Sequence, residues 1–273
     1  MSQIKLILQF GFLMLFSGVM QAQQLQTISA ASLALSGCDA GYQREADPFF
    51  NNPASLSGSQ LSGIGINYIN RFLIAELSSA SIGGVWAGEQ SALAASLHYY
   101  GSGAFNESLI SLAYGQYLFP WLDAGMRLNY HHLRVEALSQ FYHTVSGELG
   151  INAKISPAMN IALVYKNPTR SAFAAETSEM VPEIDLGFFI HEPTRYYAGV
   201  QLSLRDYRYV DFSLGFEYKL VEQLLLRTGL LVSDHLSYSL GLGIVLHKIR
   251  VDIGFREHLI LGSTAGIALS YSL

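Results

Sequence analysis

A transmembrane antiparallel β-barrel of about fourteen strands is the fold class this all-β sequence predicts, and three observations predict it. Apolar and polar residues alternate with a period of two through segment after segment. Only 14% of the residues are charged, where about 25% is usual in a soluble domain. Very short links alternate with longer ones, as expected when one rim of a barrel carries tight turns and the other carries loops.

The chain divides into three parts. Residues 1–22 read as a signal peptide: Lys5 is the basic start, Leu6 to Met20 the apolar core, and Gln21-Ala22 the cleavage point. A competing signal is the lipobox-like Leu35-Ser36-Gly37-Cys38, which would lipidate Cys38. Four glutamines (Gln21, Gln23, Gln24, Gln26) separate it from the apolar core, so Cys38 reads as an ordinary small residue. As the single cysteine, it cannot form an internal disulfide.

Residues 23–60 are not strand-like and read as a plug-like segment. Ser29 to Gly37 is a run of small residues, and Asp47-Pro48 and Asn52-Pro53 then restrict the backbone, since each residue before a proline is pushed toward extended geometry. Phe49 and Phe50 are expected to anchor this segment to the inner wall or periplasmic mouth.

Residues 61–273 form the barrel. Alternating segments begin near Leu61, Phe72, Ser91, Glu107, Trp121, Tyr142, Ala158, Glu183, Arg195, Tyr209, Gln223, Leu236, Ile249 and Thr264. In one of them Val210, Phe212, Leu214, Phe216 and Tyr218 oppose Asp211, Ser213, Gly215, Glu217 and Lys219. Most have the length a tilted strand needs to cross a bilayer, about nine to eleven residues. A soluble sandwich or propeller would carry abundant charge outside. Here the sparse charges share a strand face with Gly and Ser, which fits a polar lumen inside an apolar wall.

The charged residues expected to face the lumen are Asp123, Arg127, Glu148, Lys154, Arg205, Asp211, Glu217, Arg227, Arg250, Asp252 and Arg256. Their mixed signs point to ion-paired bracing rather than a single-sign selectivity ring; a substrate path lined by some of them is the alternative. Tyr68, Tyr99, Tyr100, Tyr117, Trp121, Tyr130, Tyr165, Tyr196, Tyr218 and Tyr271 lie near segment ends and read as interfacial girdles. An even strand count puts both termini in the periplasm of a bacterial cell, with the barrel in its outer membrane.

The stretch AASLALSGCDAGYQREADPFFNNPASLSG resembles the N-terminal signature of the FadL-like outer-membrane proteins, and more closely their PorV and PorQ branch from Bacteroidota. The matching positions are Ala34, Leu35, Gly37 and the plug motif Asp47, Pro48, Asn52, Pro53 and Ala54. Two departures stand out: Cys38 replaces a second small residue, and the chain ends on Leu273 rather than on an aromatic. The resemblance implies a non-enzymatic component of type IX secretion or surface assembly, with protein partners. The alternative it implies is a FadL-like channel for hydrophobic small molecules.

Other chemistry has little support. The net charge of −5 argues against nucleic acid, which needs clustered Lys and Arg. His131 and His132 are adjacent and point to opposite strand faces, so they cannot share a metal ion. Ser233-Asp234-His235 and Arg256-Glu257-His258 raise a hydrolase as a third alternative. Consecutive residues rarely converge into a catalytic relay, and turn chemistry explains them equally well. No cofactor is expected; the remaining partners are membrane lipid and the barrel assembly machinery.

Overall fold

The computed structural model describes residues 28–43, 47–59, 61–136, 140–173, 180–192 and 194–273; the signal-peptide reading lies outside them. Fourteen strands follow the N-terminal segment: β1 (Gly63–Asn70), β2 (Ser78–Ala87), β3 (Ser91–Gly101), β4 (Phe105–Phe119), β5 (Leu122–Val135), β6 (Gln140–Ser156) and β7 (Met159–Lys166), then β8 (Glu183–Glu192), β9 (Tyr196–Arg205), β10 (Tyr209–Val221), β11 (Leu224–Val232), β12 (Leu236–Leu246), β13 (Ile249–His258) and β14 (Gly262–Ser272). Each pairs antiparallel with its sequence neighbours, and β1 pairs with β14 to close the barrel. Closure leaves no open sheet edge, the condition for placing strands in hydrocarbon.

Alternation decides which face is wet. On β10 Phe212, Phe216 and Tyr218 are exposed while Ser213 and Glu217 are buried; on β5 Met126, Leu128 and Tyr130 are exposed while Asp123, Arg127 and Asn129 are buried. Large aliphatic and aromatic side chains thus cover the outside and polar groups fill the inside, the reverse of a soluble β protein. An exposed apolar surface this extensive demands a nonaqueous environment.

The start of β1 and the end of β14 lie on the rim of the tight turns, such as those at 120–121, 157–158, 222–223 and 247–248. The opposite rim carries the longest link, residues 167–182. One segment starts later than the alternation implies. The apolar run at Phe72 is not strand: Phe72 and Leu73 both take a φ of 55°, two 3-10 turns occupy Arg71–Leu77, and β2 begins at Ser78. Two tyrosines also leave the expected girdle. Tyr100 and Tyr117 sit at inward positions, where Arg71 lies over one ring and Lys154 over the other at 5.1 and 4.3 Å.

Candidate functional site

The N-terminal segment fills the barrel in two pieces. The first is α1 (Ala30–Ala34), capped by Ser29, whose hydroxyl accepts from the Ser32 N–H at 3.0 Å. It packs on β11 to β14 and β1. Asn67 of β1 ties it down, accepting from the Ala30 N–H and donating to the Ile28 carbonyl, each at 3.0 Å. Cys38 follows, fully buried against the inner wall.

The second piece is η1 (Pro53–Gly58), a 3-10 helix resting on β3 to β6. The plug motif builds it. Asp47 accepts from the Phe49 N–H at 2.9 Å, and Pro48 lies against Gly65 and Gly83. Asn52 is wholly buried and spends its amide three ways: it accepts from the Ala54 N–H at 2.9 Å and donates to the carbonyls of Ala40 and Ile151 at 2.9 and 3.1 Å. Pro53 and Ala54 pass so close to β5 that a Cβ on Gly125 would lie 2.3 Å from the Pro53 carbonyl carbon. Phe49 and Phe50 are both buried; Phe50 lies under the Arg127 guanidinium at 4.4 Å and its carbonyl accepts from Arg127.

The charged residues meet across strands. Arg127 pairs with Glu148 at 3.1 Å, Lys154 with Asp123 at 3.1 Å, and Arg205 with Asp211 at 2.7 Å. Arg227 bridges Glu217 and Asp252 at 2.5 and 2.7 Å, and Arg250 reaches Asp252 at 2.9 Å. Arg256 donates instead to the Ser239 hydroxyl at 3.3 Å.

Sequence reading missed Lys166, Glu183 and Asp185, which complete the arrangement: Lys166 contacts Glu183 at 2.6 Å and Asp185 at 2.8 Å. Arg127, Glu148, Lys166, Glu183 and Arg205 occupy directly paired positions on β5 to β9, so charge alternates in sign from strand to strand. Lys166 and Glu183 flank the longest loop, and a hairpin necessarily brings such flanking residues face to face. An alternating belt is internally neutralised and presents no single sign to a passing ion.

Two interior cavities lie on either side of the N-terminal segment. One, of about 390 Å³, opens between the charged belt and Ser32, Ser36 and Asn51. The other, of about 600 Å³ near the tight-turn rim, is lined by Tyr42, Gln43, Lys154 and Tyr197 among others. Outside, an apolar groove of about 560 Å³ lies over Gly199, Gly215 and Gly229. Cys38 and Leu35 press on the inner side of Gly215 and Gly229, where only backbone separates the plug from the groove, while the Phe189 ring lies inside Gly199.

The hydrolase candidates meet no relay. The Ser233 hydroxyl donates to the His235 backbone carbonyl at 3.2 Å, and His258 Nδ1 accepts from the Ile260 and Leu261 N–H groups. His131 points inward and fully buried, between Glu107 at 3.0 Å and Ser146 at 2.9 Å, while His132 points outward. Among the described residues no group of three or more His, Cys, Asp or Glu is placed to hold a metal ion.

No family model matches the chain, and no curated protein matches it. Solved structures do. The toluene transporter TbuX of Ralstonia pickettii is 10% identical, with 92% of this chain and 99% of that chain covered at a TM-score of 0.71. The toluene transporter TodX of Pseudomonas putida is 13% identical over the same shares, at 0.70. A FadL homologue from Pseudomonas aeruginosa is 10% identical, covering 90% and 98%, at 0.67. These structures do not single out the PorV and PorQ branch. Identity this low speaks for architecture alone: the chain has the closed fourteen-stranded fold of the FadL-like outer-membrane barrels.

Proposed function

We propose that the protein is an outer-membrane channel for hydrophobic small molecules, held shut by its own N-terminal segment, with the tight-turn rim and both termini in the periplasm. The observation that carries this reading is the seating of residues 28–43 and 47–59 between two interior cavities, in a fold shared with two toluene transporters. The apolar groove behind Gly199, Gly215 and Gly229 adds support, because it gives an apolar solute a surface next to the plug.

Cys38 lies against Gly215 of β10, and Ser213 is the adjacent inward residue on that strand, so Ser213→Cys sets a second thiol near it. Oxidation would tie the plug to the wall. Cells carrying the unaltered barrel should accumulate radiolabelled toluene faster than cells without it, and oxidation of the Ser213→Cys variant should abolish the gain until a reductant restores it. Equal accumulation with and without the unaltered barrel overturns the channel reading.

A second reading, an export or surface-assembly component of the PorV and PorQ kind, draws on the N-terminal signature and on the charged, ion-paired lumen, which offers an apolar solute few contacts. Loss of surface proteins on deletion, with toluene entry unchanged, would favour it.

A further inference from the structure

We infer that the outward face of the β5–β6 hairpin carries a binding site for a borderline divalent transition-metal ion, Cu²⁺ or Zn²⁺, formed by His132 and His143. The two residues are directly opposite in the β5–β6 register. Both side chains therefore leave the same face, unlike the adjacent pair His131 and His132. Their Nδ1 atoms stand 3.2 Å apart and their ring centroids 4.7 Å apart. Two imidazole nitrogens bound to one ion at about 2.0–2.1 Å are separated by roughly 2.9 Å at a square-planar angle and 3.4 Å at a tetrahedral one. The pair, in hydrogen-bond contact as it stands, has the spacing that two ligands take on one metal.

The surroundings agree. The Tyr130 hydroxyl is hydrogen-bonded to His143 Nδ1 at 2.7 Å; once a metal takes that lone pair, the hydroxyl is placed to bond a metal-bound water or to join the donor set. Phe141 stacks on His132 at 5.7 Å and Tyr130 on His143 at 5.8 Å, which fixes both ring planes and lowers the cost of ordering them on binding. The site lies where the outer face changes character, from Met126, Leu128 and Val145 to His132, Arg134 and His143, and so at the edge of the apolar band rather than within it.

Among the described residues Arg134 is the cation on this face nearby. It lies over the Phe141 ring at 5.9 Å. It opposes a metal ion at longer range and would favour an anion instead. Binding an anion needs both rings protonated, and two imidazolium nitrogens cannot remain at this separation. The spacing therefore suits two nitrogen donors on one metal ion better than an anion.

Binding is simple coordination. Each neutral ring donates its Nδ1 lone pair and keeps its proton on Nε2, so no proton leaves when both rings start neutral. The ion would cross-link β5 to β6 where the hairpin is least supported, since β6 pairs with β7 only from Glu148 onward.

The test is titration of the folded, detergent-solubilised full chain, free of any polyhistidine tag, with Cu²⁺ followed by electron paramagnetic resonance and with Zn²⁺ by calorimetry. One saturable equivalent with nitrogen coupling is expected, bound more tightly for Cu²⁺. It should disappear in both His132→Ala and His143→Ala and persist in His235→Ala, which removes an exposed histidine elsewhere on the rim. Folding of each variant is checked by its heat-modifiable gel mobility. Binding that survives His143→Ala in the folded barrel, that vanishes with His235→Ala, or that never saturates near one equivalent overturns the assignment.

Discussion

The two halves of the plug are held by different physics. Around α1 the contacts are close and mostly nonpolar: a Cβ on Gly254 would lie 2.1 Å from the Ala30 carbonyl oxygen, and one on Gly241 would lie 2.4 Å from Ala34 Cβ. Around η1 the approach is as close, but it is bonded. Asn52 makes three hydrogen bonds, and Arg127 joins Phe50 to the buried pair with Glu148. One half is held mainly by shape, with Asn67 as its polar tie, and the other by hydrogen bonds and charge. If the segment moves to open a path, the half held mainly by shape strands fewer buried polar groups, chiefly Asn67 of β1, and unmade hydrogen bonds are what cost most in a dry interior.

The largest expected effect is at Arg127. Arg127→Ala leaves Glu148 buried without its cation and the Phe50 carbonyl without its donor, a loss of about 3–5 kcal/mol for one partner of a buried pair. Equilibrium urea unfolding in detergent should show it, with the η1 side of the plug becoming sensitive to protease. Arg227→Ala takes the cation from Glu217, leaves Asp252 its pairing with Arg250, and touches η1 nowhere. It should destabilise the barrel while leaving residues 47–59 protected. Equal exposure of that stretch in both variants would break the distinction.

Next is Asn52→Ala, which removes the acceptor for Ala54 and the donor for Ala40 and Ile151 at a wholly buried position. A loss of about 2–3 kcal/mol is expected from the orphaned groups. Asn52→Asp keeps the acceptor and loses the donor, so it should recover part of the helix cap without restoring the wall contact. On the α1 side the matching change is Gly254→Ala, where the obstacle is backbone and cannot rotate aside. Overpacking of this kind costs about 1–3 kcal/mol, and it should release residues 28–38 to protease before residues 47–59.

Much of this was legible in the sequence, for a simple reason. Strand alternation is a local property, so β3, β8, β10, β12 and β13 begin at Ser91, Glu183, Tyr209, Leu236 and Ile249, where the pattern of residue types places them. The late start of β2 was not legible, because Phe72-Leu73-Ile74 is apolar yet turns through positive φ at the rim. Cross-strand register was not legible either. The alternating belt through Lys166 and Glu183, the opposition of His132 and His143, and the glycines that admit the plug all depend on which residue meets which across two chains. Alternation fixes the face of a residue but not its height along the barrel. The plug motif was visible as prolines and asparagines, while its seat was scattered among glycines on several strands.

The smallest effect sharpens the comparison most. Ser29→Ala removes the cap of α1, whose hydroxyl accepts from the Ser32 N–H, at a typical cost of about 1 kcal/mol. Ser29 plays for α1 the part Asn52 plays for η1, since each accepts a backbone N–H at the start of its helix. Asn52 also bonds to the wall, however, and α1 is held by tight packing and by Asn67. Loss of the Ser29 cap should therefore loosen α1 without unseating η1. In hydrogen exchange, protection at Leu33 and Leu35 should fall while protection at Ser55 and Ser59 stays unchanged. If both pairs lose protection together, the plug moves as one body and the division between a packed half and a bonded half does not hold.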